Sequence, residues 1–380
     1  MRIYLKKGKE KKVKHFYPWV FRDEIKEIEG EGVVAELCDS EGNFLAVGTY
    51  SPVSRIAFRV LSYEREDINE GFFKKRLEEA LSLRKDIDSD AFRVAFSESD
   101  LLSGLIIDKY ADGVVVQVRS YPMEVLKEKV ISGILNVLKP AFIYERSDFK
   151  GREEEGLQPF KGLIYGKLEN PIKIREGEFS FLVDVVNGLK TGFYLDQREN
   201  RRYIQSIVER NMKVLDLFCY TGGFSVYAGK KGAKVIGVDI NENAVELARE
   251  NARMNDVNAE FIKYNAFNFI EETKEVYDLI IADPPAIAKT KKEKESVKWA
   301  IWKLAYHSFK KLKRYGRLFI CTCTYQMSVE DMIKQVRLAS TDVGRRIFIK
   351  SVMLQPVDHP YLPTFPESLY LKCLDTIVLN

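Results

Sequence analysis

Val214-Leu215-Asp216-Leu217-Phe218-Cys219-Tyr220-Thr221-Gly222-Gly223-Phe224-Ser225 decides how the rest of the chain is read. An apolar strand ends in a polar, glycine-containing turn, and a helix begins. Such a turn lets backbone approach a ligand closely at the carboxyl end of a strand. Further on, Val235-Ile236-Gly237-Val238-Asp239 ends a second strand on an acid. A carboxylate in that position accepts hydrogen bonds from both hydroxyls of a ribose. The turn lacks the Gly-x-Gly-x-x-Gly pattern that a dinucleotide pyrophosphate needs. Asp216, at the end of the first strand, would repel phosphate but suits an ammonium. Ribose plus an amino-acid tail describes S-adenosylmethionine, so the electrostatics favour a methyltransferase over a dehydrogenase.

Around this stretch the pattern is strand–helix alternation. Strands are expected at 213–218, 234–239, 259–264, 277–282 and 317–322, and helices at 223–230, 242–254, 266–273, 294–313 and 328–340. Two more strands are expected at 345–353 and 369–378. Alternation of this kind implies a mostly parallel sheet with helices on both faces. Upstream, residues 1–70 read as short strands separated by turn signals, a small β domain. A helix is expected at about 70–85, and a hairpin where Gly104–Asp108 and Gly113–Val118 flank a turn. A helix from Glu124 to Leu138 ends before Pro140. Asn187-Gly188, between apolar runs at 179–186 and 193–195, signals a second hairpin.

Two further strand ends carry chemistry. Asp278-Leu279-Ile280-Ile281-Ala282-Asp283-Pro284-Pro285 delivers a carboxylate and two stiff prolines to one sheet edge. Leu318-Phe319-Ile320-Cys321-Thr322-Cys323-Thr324 ends the next strand, so Cys323 should lie beside Asp283. A buried cysteine is usually a small hydrophobe, the reading for Cys219, Cys321 and Cys373. Cys323, at the strand end between two threonines, reads as a nucleophile.

Composition sets the outer limits. The chain has 380 residues, 46% hydrophobic and 31% charged, enough for two or three packed domains. It lacks an apolar run of the roughly 18 residues that span a membrane, and Met1–Lys7 lacks the apolar core of a signal peptide. A cytoplasmic protein is expected. Five cysteines and three histidines support neither a disulfide framework nor a zinc cluster, and no metal is expected. Residues 1–14 carry seven Lys/Arg against one Glu, and residues 285–317 eleven against two. Such clustering points to nucleic acid, with a solvated lysine-rich surface as the plainer alternative.

The ordered set 216–225, Asp283-Pro284-Pro285 and Thr322-Cys323-Thr324 resembles the bacterial and archaeal ribosomal-RNA 5-methylcytosine methyltransferases, above all the large-subunit family with an N-terminal PUA domain. The likeness covers nearly the whole chain. His15–Phe21 resembles the start of the PUA domain. Ser97-Glu98-Ser99-Asp100 with Gly104–Asp108 resembles the central domain, and Thr191–Arg201 the lead-in to the cofactor site. Asp358-His359-Pro360 and Phe365-Pro366-Glu367 resemble the C-terminal segment. The family usually has Ser-Cys-Ser where this chain has Thr-Cys-Thr. Asn265 stands where an acid often meets the adenine amino group. Ala286 follows the prolines, where other RNA 5-methylcytosine enzymes have a second cysteine.

The resemblance implies three parts: a small PUA-like β-barrel at 1–70, a central α+β domain at 71–185, and a Rossmann-like methyltransferase at 186–380 with a seven-stranded, mostly parallel sheet. It implies S-adenosylmethionine held by Gln197, Arg198, Asp216, Phe218, Tyr220, Thr221, Gly222, Gly223, Asp239, Ile240, Asn265, Ala266, Asp283 and Pro284. Cys323 and Asp283 would be catalytic. Lys289, Lys291, Lys292 and His359 would touch RNA, and a homodimer stays open. Tyr17 and Trp19 could stack on bases, though core packing is the simpler use. Ribosomal RNA presenting a single-stranded or flipped-out cytosine is the expected partner. A 5-methyluridine enzyme shares the cysteine chemistry. A non-catalytic RNA-binding or assembly factor would not need Asp216, Asp239, Asp283 and Cys323 together.

Overall fold

The computed structural model describes residues 1–285 and 294–380. The chain forms two compact units. The first comprises Met1–Gly177, Val183–Leu195 and Val357–Ser368; the second comprises Glu178–Leu182, Asp196–Pro356 and Leu369–Asn380.

The first unit opens with a six-stranded sheet of β1 (Arg2–Leu5), β2 (Trp19–Phe21), β3 (Ile25–Glu29), β4 (Val34–Cys38), β5 (Phe44–Tyr50) and β6 (Ile56–Ser62), ordered β2-β6-β5-β4-β1-β3. A short helix, α1 (Glu10–Lys14), carries the basic arm and buries Val13. Alternation is visible in β4, where Ala35 and Leu37 turn inward to join Ile3, Leu5, Phe58 and Val60 in one core.

A five-stranded sheet follows: β7 (Ala91–Phe96), β8 (Leu105–Tyr110), β9 (Gly113–Val118), β10 (Phe142–Ser147) and β11 (Phe160–Gly166), ordered β11-β10-β9-β8-β7. The β8–β9 hairpin forms as its turn signal predicts. Helix α2 (Glu70–Ser82) starts where the Asn69 side chain accepts the Phe72 N–H, and it buries Phe72, Phe73 and Leu77. The single helix expected from Glu124 is instead two, α3 (Tyr121–Val125) and α4 (Lys127–Leu138), broken at Leu126. Pro122 suits the first turn of α3, which accounts for the earlier start. Two short strands, β12 (Ile172–Glu176) and β13 (Phe179–Val183), come next along the chain.

The hairpin expected at Asn187-Gly188 does not form. Asp184 Oδ1 accepts the N–H groups of Val186 and Asn187 at 2.9 and 2.8 Å. That local turn takes the donors a ladder would need. Phe193 and Leu195 are buried without being strand residues.

The second unit is built on a seven-stranded sheet, as expected. Its strands are β14 (Lys213–Leu217), β15 (Lys234–Asp239), β16 (Ala259–Lys263), β17 (Tyr277–Ala282), β18 (Leu312–Thr322), β19 (Ile347–Leu354) and β20 (Lys372–Val378). The order is β16-β15-β14-β17-β18-β20-β19. The first five run parallel, while β20 is antiparallel to both β18 and β19. The helices are α5 (Arg198–Ile207), α6 (Gly223–Lys230), α7 (Glu242–Met254), α8 (Ala266–Glu272), α9 (Lys294–Lys311) and α10 (Val329–Val343). One face of the sheet packs Leu217, Ile280, Ile320 and Leu374 with Ile301, Leu304 and Val336 from α9 and α10. The other packs Val214, Ile281, Phe319 and Cys373 with Ile204 of α5 and Phe224 of α6. Strand order reverses at β14, with β15 on one side and β17 on the other. In open α/β sheets, ligands bind at the carboxyl ends of strands at such a switch point.

One cysteine expectation is corrected here. Cys321 on β18 and Cys373 on β20 lie directly opposite in the antiparallel ladder, 4.1 Å apart at Cα, and their sulfurs are joined as a disulfide. Residues 52 positions apart meet only through the inserted strand, so spacing along the chain gives no sign of the pair.

Candidate active site

The corner expected to hold the cofactor is built on β14 and β15. Asp216 pairs in register with Ile281 on β17 and with Gly237 on β15. Its side chain is 1% exposed, and Oδ2 accepts a hydrogen bond from Ser225 Oγ at 2.6 Å. Its other oxygen, Oδ1, and the hydroxyl of buried Thr221 have no partner among the described residues. Buried polar atoms rarely stay unsatisfied, so this pair fits a polar ligand. Burial, and then repulsion from Asp283 and Asp239, pushes the Asp216 carboxyl up to about 7, against the opposing Ser225 bond. An ammonium beside Oδ1 would reverse that shift.

The turn that follows is strained where it must be tight. Phe218, Tyr220 and Gly222 all have positive φ, at 63°, 48° and 80°. A Cβ at Gly222 would sit 3.1 Å from Ala248 Cβ and 3.2 Å from the Phe261 ring. Asp239, at the end of β15, holds the turn in place. Its Oδ2 accepts the Tyr220 N–H and its Oδ1 the Asn241 N–H, both at 2.9 Å. Phe218 packs edge-on against Phe267, and Ile240 is exposed beyond the strand end.

One expected cofactor contact takes another role. Asn265 caps α8: its side-chain oxygen accepts the N–H groups of Phe267 and Asn268 at 2.9 and 3.2 Å. Both lone pairs are then used, so the oxygen is not available to an adenine amino group. Ala266 begins α8 and is buried. Arg198 is fully buried, with Nε 3.4 Å from Glu199 Oε1.

The corner expected to carry the reaction lies across β17 and β18. Ala282 is in register with Ile320, so Asp283 and the Cys321–Cys323 run leave neighbouring strands at the same edge. Asp283 Oδ2 accepts a hydrogen bond from Gln197 Nε2 at 2.9 Å. Pro284, next along the chain, is buried. Gln197 is 2% exposed, and its own carbonyl oxygen accepts from Asn200 Nδ2. The lead-in segment therefore positions the acid. Cys323 is half-buried and outside the disulfide, between Thr322 and Thr324, which are both buried. The Thr324 N–H reaches Thr322 Oγ1 at 3.3 Å, fixing the bend that carries the thiol out of the strand.

Three neighbours escaped sequence reasoning. Asn200 lies three residues after Gln197, a helical spacing that could have revealed it. Arg201 is buried, with Cδ 3.1 Å from where a Gly223 Cβ would be. Lys372, on β20, is in register with Thr322 and 3% exposed, and only the sheet topology brings it there. Among the RNA contacts, Lys289, Lys291 and Lys292 fall outside the described residues, as does Ala286. His359 belongs to the first unit and is 1% exposed. Its Nδ1 lies 3.2 Å from Asp358 Oδ1, and its ring packs near Phe96. That environment is a packed interior, not a surface open to RNA. Trp19 likewise packs on Phe365 and donates to Glu98 Oε1 at 2.9 Å, which is the core use.

Comparison with known proteins gives the family of the chain. A PUA-like domain family matches residues 3–63 and a methyltransferase domain family matches 208–354. The chain is 38% identical over 389 residues to ribosomal RNA large subunit methyltransferase I of Tolumonas auensis, covering 98% of each protein. The same enzyme of Vibrio vulnificus is 36% identical over 387 residues, with 97% of each covered. The chain belongs to the ribosomal RNA large subunit methyltransferase I family. A solved structure described as a SAM-dependent methyltransferase from Streptococcus mutans superposes with a TM-score of 0.85 at 21% identity over the full length of both chains. A methyltransferase solved with S-adenosylhomocysteine superposes at 0.87 and 22%, again over both full chains. These two support the fold.

As a member of that family the chain uses S-adenosylmethionine, and two expected results test the corner assigned to it. Asp239→Ala should weaken S-adenosylmethionine binding in calorimetry by about 30- to 100-fold, the loss of two charge-assisted hydrogen bonds to the ribose. Unchanged affinity with an unchanged melting temperature would remove Asp239 from the site. Cofactor affinity should also rise with pH between about 5.5 and 7.5. With Asp216 at about 7 before binding, a cofactor ammonium placed beside it would lower that value, and binding would then release a proton below about 7. Calorimetry in buffers of different ionisation enthalpy reads that proton directly. Its absence at pH 6.5 would place the ammonium elsewhere.

Proposed function

We propose that the protein methylates carbon 5 of a cytosine in large-subunit ribosomal RNA, in the cytoplasm, with Cys323 as covalent nucleophile and Asp283 as the ring's acid–base partner. The register of β17 with β18 carries this reading, because it puts an acid and a thiol at the ends of adjacent strands, on the sheet edge that also bears Asp216. Asp216, Thr221, the Gly222 turn and Asp239 would hold the cofactor. When bound, S-adenosylmethionine supplies an electrophilic methyl group.

Carbon 5 of cytosine is too weak a nucleophile to take a methyl group unaided. Addition of the Cys323 thiolate at carbon 6 forms an S–C6 bond and shifts the ring's π electrons toward carbon 5. Ring nitrogen 3 gains charge in that step. The Asp283 carboxyl shares a proton with it, while Gln197 keeps Oδ2 oriented. After methylation the carbon-5 proton passes to water, the S–C6 bond breaks, and its electrons return to sulfur as thiolate. The base has to leave its stack for this, by flipping or by lying in a single-stranded segment. The basic arm and β sheet of residues 1–70 would grip the RNA.

Uracil remains the second reading for one reason. Gln197 donates to Asp283 Oδ2, and a carboxylate held in that way would suit the N–H at ring nitrogen 3 of uracil. Nucleoside mass spectrometry of ribosomal RNA, incubated with the protein and methyl-labelled cofactor, decides between them. The label should appear in 5-methylcytidine. Label in 5-methyluridine would transfer the mechanism to uracil, and label in a guanosine or a ribose would end the role of Cys323.

A further inference from the structure

Lys372 is a lysine where the fold has little use for one. It is 3% exposed, at the start of β20, and its ladder partners are Thr322 on β18 and Leu354 on β19, neither of them ionisable. Its Nζ donates to the carbonyl of Thr324, the residue after Cys323, at 3.3 Å. The approach to β20 is fixed by Gln355, whose Oε1 accepts the N–H groups of Tyr370 and Leu371 at 3.1 and 3.3 Å. Among the described residues no carboxylate acts on the ammonium. Among those residues the charge that does act on it is that of Cys323. Asp283 leaves β17, on the far side of β18 from Lys372.

We propose that Lys372 is a positioning residue for the reaction, its ammonium stabilising the Cys323 thiolate both before addition to the ring and when the thiolate is expelled. The inference rests on the reading of Cys323 as nucleophile. It also explains why a charge is kept in a place where burial opposes it. Burial pulls the amine down to about 8, against the opposing charge of the thiolate. Lys372 therefore remains mostly an ammonium at neutral pH. In its neutral fraction the amine takes the S–H proton directly, giving the same thiolate–ammonium pair. On release the S–C6 bond electrons return to sulfur beside the same cation, which makes the thiolate a better leaving group. No bond to Lys372 forms or breaks apart from that N–H.

The test needs no RNA. Iodoacetamide labelling of the full-length protein, followed at the Cys323 peptide by mass spectrometry across pH 5.5–10, reports the thiolate fraction. In the wild type the inflection should lie at least one unit below the roughly 8.5 of an ordinary cysteine. Lys372→Met should move it up, slowing labelling at pH 7 by about tenfold. Lys372→Arg, where it folds, should keep the low value, because it keeps the charge. A wild-type inflection at or above 8.5 would overturn the proposal without any variant. So would a Lys372→Met profile that superimposes on wild type while melting temperature and cofactor affinity are unchanged. A low inflection together with full methylation by Cys323→Ala would instead overturn the nucleophile reading, and with it the catalytic use of Lys372. The two failures are therefore told apart.

Discussion

Cys323→Ala should abolish methylation, a loss of at least about 1,000-fold, as expected when a nucleophile with no substitute is removed. The same variant should stop forming a covalent complex with RNA that carries 5-fluorocytosine at the target. Fluorine cannot leave as a proton does, so with the wild type the ring stays bonded to sulfur after methyl transfer, and the complex survives denaturing electrophoresis. Cys219→Ala should retain the adduct. Cys219 is buried in the turn, and burial beside Asp216 and Asp239 pushes its thiol well up, away from thiolate chemistry. Cys321→Ala should retain it as well, since Cys321 is fully buried and its sulfur is bonded to Cys373. An adduct formed by Cys323→Ala but not by Cys321→Ala would mean the wrong cysteine had been assigned. Full turnover by a variant carrying both Cys321→Ala and Cys323→Ala would end the covalent mechanism.

Asp283→Asn should lower turnover by about 100- to 10,000-fold, the range for losing a positioned acid–base group. A second effect marks this variant as more than damage to the site. The Asp283 charge helps hold the neighbouring Asp216 carboxyl up at about 7. Without that charge Asp216 ionises at lower pH, so the pH midpoint of cofactor binding should move down while affinity at pH 7.5 holds. Gln197→Met should be milder, because Gln197 only orients Oδ2 of the acid. A normal rate for Asp283→Asn would take the carboxyl out of the chemistry, and an unmoved midpoint would separate Asp283 from Asp216.

The sheet of the second unit was legible because its signals are local. Each strand is a short apolar run, each helix has 3.6-residue periodicity, and the glycine turn and strand-end acids mark the functional edge. Asp216, Asp239, Asp283 and Cys323 could be placed on one edge because alternation fixes which ends of parallel strands point the same way. What failed was settled by competition or by distance. Asn187-Gly188 reads as a hairpin, but the Asp184 side chain takes the neighbouring N–H groups first. Asn265 reads as a ligand contact, but a helix start needs a cap and its oxygen supplies one. The Cys321–Cys373 pair and Lys372 depend on which strand lies beside β18, and nothing near residue 321 or 372 carries that information.

The place of β20 has a consequence for how the enzyme comes into being. β20 is made after every other strand of its sheet, yet it lies between β18 and β19 rather than outside them. While the polypeptide is still growing, β18 is an open edge, β19 has no strand to pair with, and Lys372 has not been added beside Cys323. The strands that would hold the cofactor can assemble earlier, since β14 and β15 pair with each other through residues far upstream. A nascent chain would thus gain its methyl-donor cradle before its reactive thiol is set. In the growing chain the sheet edge that bears Cys323 is therefore unfinished until β20 has been made and has entered between β18 and β19.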